Sequence, residues 1–172
     1  PISVDEVLKM GRYQGLLHRL RSEDRIAIDT AAERLKVSHL RSRRFGELSG
    51  GERQRIIVAR AIASSADLVL LDEPITGLDL PSQEIILEVI TEEAARGASV
   101  VFSTHHLGEA RHADRVVLLA GCVIADGTPE EVYPPCFPQG IYFDSCGFHG
   151  LHLSLESVML GVQLCCVWLR QC

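Results

Sequence analysis

The chain has 172 residues, a length that fits one ordinary domain. Hydrophobic residues make up 47% and charged residues 23%, which excludes a disordered or collagen-like chain and supplies material for a core. A net charge of −6 argues against a broad electrostatic grip on nucleic acid or anionic lipid. Lys9 and Lys36 are the only lysines among 17 basic residues. Charge is unevenly spread: residues 133–172 carry only Asp144, Glu156 and Arg170, yet hold Cys136, Cys146, Cys165, Cys166 and Cys172. The body, with Cys122 alone, reads as a cytosolic protein without a disulfide framework. No methionine start or leader is visible, so the chain reads as a fragment.

Ser3 and Glu6 form a capping box that predicts a short helix over 3–11. Ser22 opens a second helix over 23–36, with Ile26, Ala31 and Leu35 as its apolar stripe. Ser49-Gly50-Gly51-Glu52 is another capping box and starts a third helix through Ile56, Ile57, Ala61 and Ile62. Leu68-Val-Leu-Leu71 reads as a strand buried on both faces. Pro81 and Gly97 bound a helix over 81–96, and Ser99–Ser103 forms a second buried strand before a helix over 106–113. Arg115–Leu119 and Cys122–Asp126 flank a hairpin turn at Ala120-Gly121, and Thr128-Pro129-Glu130-Glu131 begins a last short helix. Strand, helix and strand alternate, so an α/β fold with a parallel sheet and right-handed crossovers is expected.

Three places carry chemistry. Behind Ser49, two glycines leave the first N–H groups of a helix bare, either as an anion site or as a flexible cap. Asp72 and Glu73 follow a buried strand, where ligands of open α/β sheets bind. Asp72 could hold Mg²⁺ and Glu73 could orient a water, or the pair could simply close the strand. Past the second strand, His105 could donate to a phosphate oxygen. Alternatively His105, Glu109 and His112, at i, i+4 and i+7, could share a helix face and ligate zinc, although His-Glu-x-x-His is absent.

Four ordered segments resemble the ABC-type ATPases. Leu48-Ser-Gly-Gly-Glu-Arg-Gln-Arg55 is similar to their signature motif, Leu68–Pro74 to the Walker B strand, Thr76-Gly-Leu-Asp79 to the D-loop, and Ser103-Thr-His105 to the switch-histidine loop. The resemblance spans roughly residues 1–132. It implies that residues 1–48 are part of the helical subdomain, 49–132 the signature helix and catalytic core, and 133–172 an atypical tail. The implied fold is a partial P-loop NTPase parallel sheet with part of the ABC helical subdomain.

By the same resemblance, ATP and Mg²⁺ are the ligands. Asp72 would help hold the metal, Glu73 would polarise the hydrolytic water and His105 would contact the γ-phosphate. Asp79 would communicate across a head-to-tail dimer, while Ser49, Gly50 and Gly51 would clamp ATP held by the opposite ATPase subunit. Membrane permease subunits at the inner face of the cell membrane would be the other partners, with no nucleic acid. No Gly-x-x-x-x-Gly-Lys-Ser/Thr is present, so the N-terminal third of the domain is expected to be missing and the chain alone to be inactive. Val7–Tyr13 and Pro74–Gln83 resemble importers of divalent metals such as manganese and zinc. Iron-chelate importers look similar around Gly11-Arg12-Tyr13, and a non-transport ABC ATPase is a further alternative. Three readings of the tail stand: a frameshifted end without selected structure, a packed extension, and a metal or membrane segment.

Overall fold

A computed structural model describes residues 2–13, 19–119, 123–132 and 163–168. Helix α1 (Val4–Met10) is closed by the expected box: Glu6 N–H donates to Ser3 Oγ at 3.3 Å, and Ser3 N–H donates to the Glu6 carboxylate at 2.8 Å. Helix α2 spans Ser22–Arg34, with Arg21 rather than Ser22 at its cap. Its buried face is Asp24, Ile28, Ala31 and Ala32, whereas Ile26 is 65% exposed. Two residues along a helix lie about 200° apart, so Ile26 points away from the face that Asp24 and Ile28 share. Helix α3 (Gly50–Ala63) completes this layer, burying Ile56, Val58, Ala59, Ile62 and Ala63.

Arg12 fastens the three helices together. Its Nε donates to Oδ1 of buried Asp24 at 2.8 Å, and its Nη1 reaches the Ser64 carbonyl at 3.0 Å, just past the end of α3. Gly11 must be glycine there, because a Cβ would lie 2.2 Å from the Arg60 carbonyl oxygen. Arg34 leaves α2 in the other direction and pairs with Glu92 at 2.7 Å and with buried Glu93.

Those two glutamates belong to α4 (Leu80–Ala95), the crossover between β1 (Leu68–Asp72) and β2 (Ser99–Thr104), which pair in parallel. After α5 (Leu107–Ala110), β3 (Arg115–Leu119) and β4 (Val123–Gly127) pair antiparallel, and Thr128 caps α6 (Pro129–Val132). The hairpin turn at Ala120-Gly121 lies outside the described residues. The sheet order is β1-β2-β5-β3-β4, where β5 is Gln163–Trp168. β5 runs antiparallel to both β2 and β3, so β1, β2 and β3 share one direction while β5 and β4 run the other way. The sheet is therefore mixed rather than all parallel, and Gln163–Trp168, six residues of the cysteine-rich tail, pair inside it.

The expectation of a β1 strand buried on both faces is corrected. Val69 is 4% exposed, but Leu68 and Leu70 are 54% and 68% exposed. β1 is an edge strand, and its outward side carries no helix among the described residues. Helices α3 and α4 cover only the side that holds Val69, Val100 and Phe102.

Candidate functional site

Parallel pairing in register sets Asp72, the last residue of β1, opposite Ser103 on β2. Both strands therefore deliver their carboxyl ends to one edge of the sheet, the usual ligand edge of an open α/β fold. The Ser103 hydroxyl donates to Asp72 Oδ1 at 2.5 Å and accepts the Glu73 N–H at 3.0 Å. Glu73 has φ +43°, a left-handed backbone that a non-glycine residue seldom adopts. This bend turns its carboxylate toward β2, where Glu73 Oε1 meets His105 Nε2 at 2.6 Å. Both side chains remain more than a third exposed and so stand at the surface of the edge.

Side chains alternate along β2, so Thr104 faces away from Ser103. Fully buried Thr104 donates to the Glu109 carboxylate and accepts the His106 N–H at 3.0 Å. The loop that carries His105 is thereby held at both flanks. Helix α5 is four residues long, not the eight expected over 106–113, so His105 precedes it and shares no helical face with Glu109 and His112. The zinc alternative finds no support: among the described residues no three His, Cys, Asp or Glu side chains are placed to hold a metal. Asp72 supplies a hard oxygen donor at the sheet edge, which suits Mg²⁺ in a site completed by water and substrate phosphate.

The second group forms at the start of α3. Ser49 caps the helix, accepting the Glu52 N–H at 3.2 Å and donating its own N–H to the Glu52 carboxylate at 2.8 Å. The Ser49 backbone bond, then its side chain, hold the Glu52 carboxyl below its usual range. The two glycines differ in surroundings. A Cβ on Gly50 would meet nothing within 4 Å, whereas one on Gly51 would lie 2.9 Å from Ser82 Oγ and 3.1 Å from Asp79 Oδ1. Gly51 thus brings the start of α3 against the start of α4, where Asp79 is the cap residue. Ser82 donates to Asp79 and holds that carboxyl below its usual range.

A family model described as ABC transporter matches residues 3–76. The hemin import ATP-binding protein HmuV of Streptomyces coelicolor is 43% identical over 143 residues, covering 82% of this chain and 50% of that protein. The chelated iron transport system membrane protein YfeB of Yersinia pestis is 39% identical over 137 residues, covering 77% and 46%. The manganese transport system ATP-binding protein MntB of Halalkalibacterium halodurans is 35% identical, covering 78% and 55%. This chain belongs to the ABC transporter ATP-binding family. A solved ATP-binding subunit of an ABC transporter matches with a TM-score of 0.65 at 26% identity, over 76% of this chain and 55% of that one. The ADP conformation of the ATP-binding cassette MJ1267 matches at 0.61 and 28%, over 75% and 56%. The ABC ATPase fold is thus present in part, and the chain spans about half the length of the curated relatives it matches.

Within this ABC chain, the sequence-predicted residues fall into two groups: Asp72, Glu73 and His105 at the sheet edge, and Ser49, Gly50, Gly51 and Asp79 at the adjoining starts of α3 and α4. Sequence reading gave no separate role to Ser103 or Ser82. The signal for Ser103 is its register opposite Asp72, which only the pairing of β1 with β2 supplies.

Proposed function

We propose that this chain is the hydrolysis-bearing part of the ATP-binding subunit of an ABC importer for a metal ion or metal chelate. The observation that carries the reading is the Glu73–His105 contact beside Asp72 at the carboxyl edge of β1 and β2. In this reading Glu73 orients the attacking water and accepts its proton, and His105 donates to the γ-phosphate. The bend at Glu73 and the braced loop of His105 hold the two groups side by side at the sheet edge, where both would face a bound phosphate. Asp72, through water, would hold Mg²⁺, whose charge offsets that of the phosphates. The Ser49 hydroxyl and the bare N–H groups of Gly50 and Gly51 would face the γ-phosphate bound by a facing ATPase subunit, and Asp79 would link the two sites. Permease subunits at the inner face of the membrane complete the assembly, and no helix among the described residues is long and apolar enough to cross a membrane.

The names of relatives support two solute classes: manganese for MntB, and iron compounds for YfeB (chelated iron), HmuV (hemin) and FepC (ferric enterobactin). We favour the divalent ion on the resemblance around Pro74–Gln83, with iron-chelate import as the second reading.

The chain alone is expected neither to hold ATP tightly nor to hydrolyse it, because neither lysine lies in a phosphate loop. Glu73→Gln in the assembled ATPase should slow hydrolysis by about 10²–10⁴ while ATP still binds, the usual result of removing a general base. Phosphate release and nucleotide binding measured side by side test this. Hydrolysis at the normal rate by Glu73→Gln overturns the reading.

A further inference from the structure

The Ser103 hydroxyl does two opposite things for Asp72, the last residue of the neighbouring strand, and for Glu73 just after it. It donates to the Asp72 carboxylate at 2.5 Å and accepts from the Glu73 backbone N–H at 3.0 Å. A serine hydroxyl has one donor and two acceptor positions, and both kinds are used here. Ser103 is 9% exposed, so a lost bond is not simply replaced by bulk water. At this point the chain leaves β1 and enters the left-handed conformation of Glu73. Such a backbone persists only where its surroundings hold it, and the Glu73 N–H is bonded to Ser103 at the bend itself.

We propose that Ser103 is the positioning residue of the sheet-edge site, fixing the rotation of Asp72 and the bend at Glu73 through one hydroxyl. The geometry then runs in sequence. Ser103 holds the Glu73 N–H toward β2, the held bend aims the carboxylate along β2, and His105 receives it at 2.6 Å. A side chain without the hydroxyl removes the acceptor from the Glu73 N–H and the donor from Asp72 together. The bend then relaxes toward an ordinary conformation, and the Glu73–His105 contact opens although both residues remain. Thr104 cannot substitute, because it points to the other side of the strand and is committed to Glu109 and His106. The proposal rests on the ATPase reading for its catalytic meaning, but its geometry can be tested without any nucleotide.

The test uses the full chain, labelled with ¹⁵N, in four forms: native, Ser103→Ala, Ser103→Thr and Glu73→Ala. In Ser103→Ala the Glu73 amide should exchange with deuterium about tenfold faster, the scale on which one such hydrogen bond contributes. The His105 Nε2 resonance in the same variant should move to the position it takes in Glu73→Ala. Ser103→Thr keeps the hydroxyl and should restore both signals. A purely structural serine would lower the melting temperature yet leave the His105 signal in place, and that result overturns the proposal. So does a Glu73 amide unchanged by Ser103→Ala. If Ser103→Ala does not fold, Ser103→Cys is read instead: its weak donor should give shifts between those of native and Glu73→Ala, and native values for both signals overturn the proposal. In the assembled ATPase, Ser103→Ala should lower kcat through Glu73 and raise KM for Mg-ATP through Asp72, and Ser103→Thr should restore both. Normal hydrolysis by Glu73→Gln would remove the ATPase reading and leave the Ser103–Glu73–His105 coupling standing, so the two can fail separately.

Discussion

Glu73 is held at φ +43°, and the cost of that backbone can be measured by comparing Glu73→Gly with Glu73→Ala. Both variants lose the carboxylate and its contact with His105. That contact joins side chains 36% and 39% exposed, so screening limits it to about 0–1 kcal/mol, and the loss is common to both. The difference between the variants therefore isolates the backbone. A left-handed conformation costs an L-residue with a Cβ about 1–2 kcal/mol, whereas glycine adopts it almost freely. Glycine's greater freedom in the unfolded chain takes back roughly 0.4–1 kcal/mol. Glu73→Gly should thus be about 1 kcal/mol more stable than Glu73→Ala, reversing the order the two residues show inside a helix. For a chain of this size that corresponds to roughly 2–4 °C in melting temperature. Thermal and urea denaturation of the full chain give the comparison. If Glu73→Ala equals or exceeds Glu73→Gly in stability, the bend is not held in solution, and strain at this residue plays no part in placing its carboxylate.

Arg12→Ala removes an ion partner of buried Asp24 and the bond to the Ser64 carbonyl. Asp24 keeps the Arg21 N–H, so the loss should fall below the usual 3–5 kcal/mol for breaking a buried pair, at about 2–3 kcal/mol. A melting temperature within about 2 °C of native would refute the fastening role of Arg12. Gly50→Asp should leave the fold intact, since Gly50 has open space, yet prevent ATP-driven dimerisation of the complete subunit by opposing the facing γ-phosphate. Size-exclusion chromatography with ATP decides it, with Glu73→Gln as the variant expected to remain dimeric. Removing residues 163–172 withdraws β5 and leaves β2 and β3 each with an unpaired side, so thermal stability should fall and aggregation should rise. An unchanged or higher melting temperature would show that β5 does not hold the sheet together.

Local chemistry was legible in the sequence. The capping boxes at Ser3, Ser49 and Thr128 each need only four residues, and each forms as read. Asp72 and Glu73 stand where an apolar run ends, and α4 begins and stops at its proline and glycine. What escaped depends on partners distant in the chain. An apolar run cannot show whether its strand is central or at an edge, so the exposure of Leu68 and Leu70 was invisible. The pairing of Ser103 with Asp72 crosses 31 positions, and the place of β5 between β2 and β3 depends on a segment with no family pattern. Helix α5 stops at Ala110, three residues short of the expected end, and apolar periodicity does not register where so short a helix ends.

The same separation of causes bears on which motif residues serve the fold and which serve a ligand. Gly11-Arg12, which in sequence resembles a mark of the transported solute, has a structural explanation: Arg12 joins three helices, and Gly11 gives room to a carbonyl oxygen. Its presence in proteins with different solutes would therefore follow from packing alone. Gly51 also packs closely, since a Cβ there would have to displace the side chains of Asp79 and Ser82. Gly50 does not. It has no close neighbour, its backbone is not left-handed, and glycine, which costs a helix interior about 1 kcal/mol relative to alanine, keeps a part of that cost at this first helical position. The fold gains nothing from a glycine at this position and loses stability by having it. A bare helix start matters only to something that approaches from outside, and an anion is what the N–H groups there attract. Of the two adjacent glycines, Gly50 is therefore the one whose identity speaks for a ligand, which under the proposed function is the ATP of a facing subunit. Gly50→Ala is the mildest test of that: it should raise thermal stability while weakening ATP-driven dimerisation, and a variant that is more stable and dimerises normally would return Gly50 to the fold.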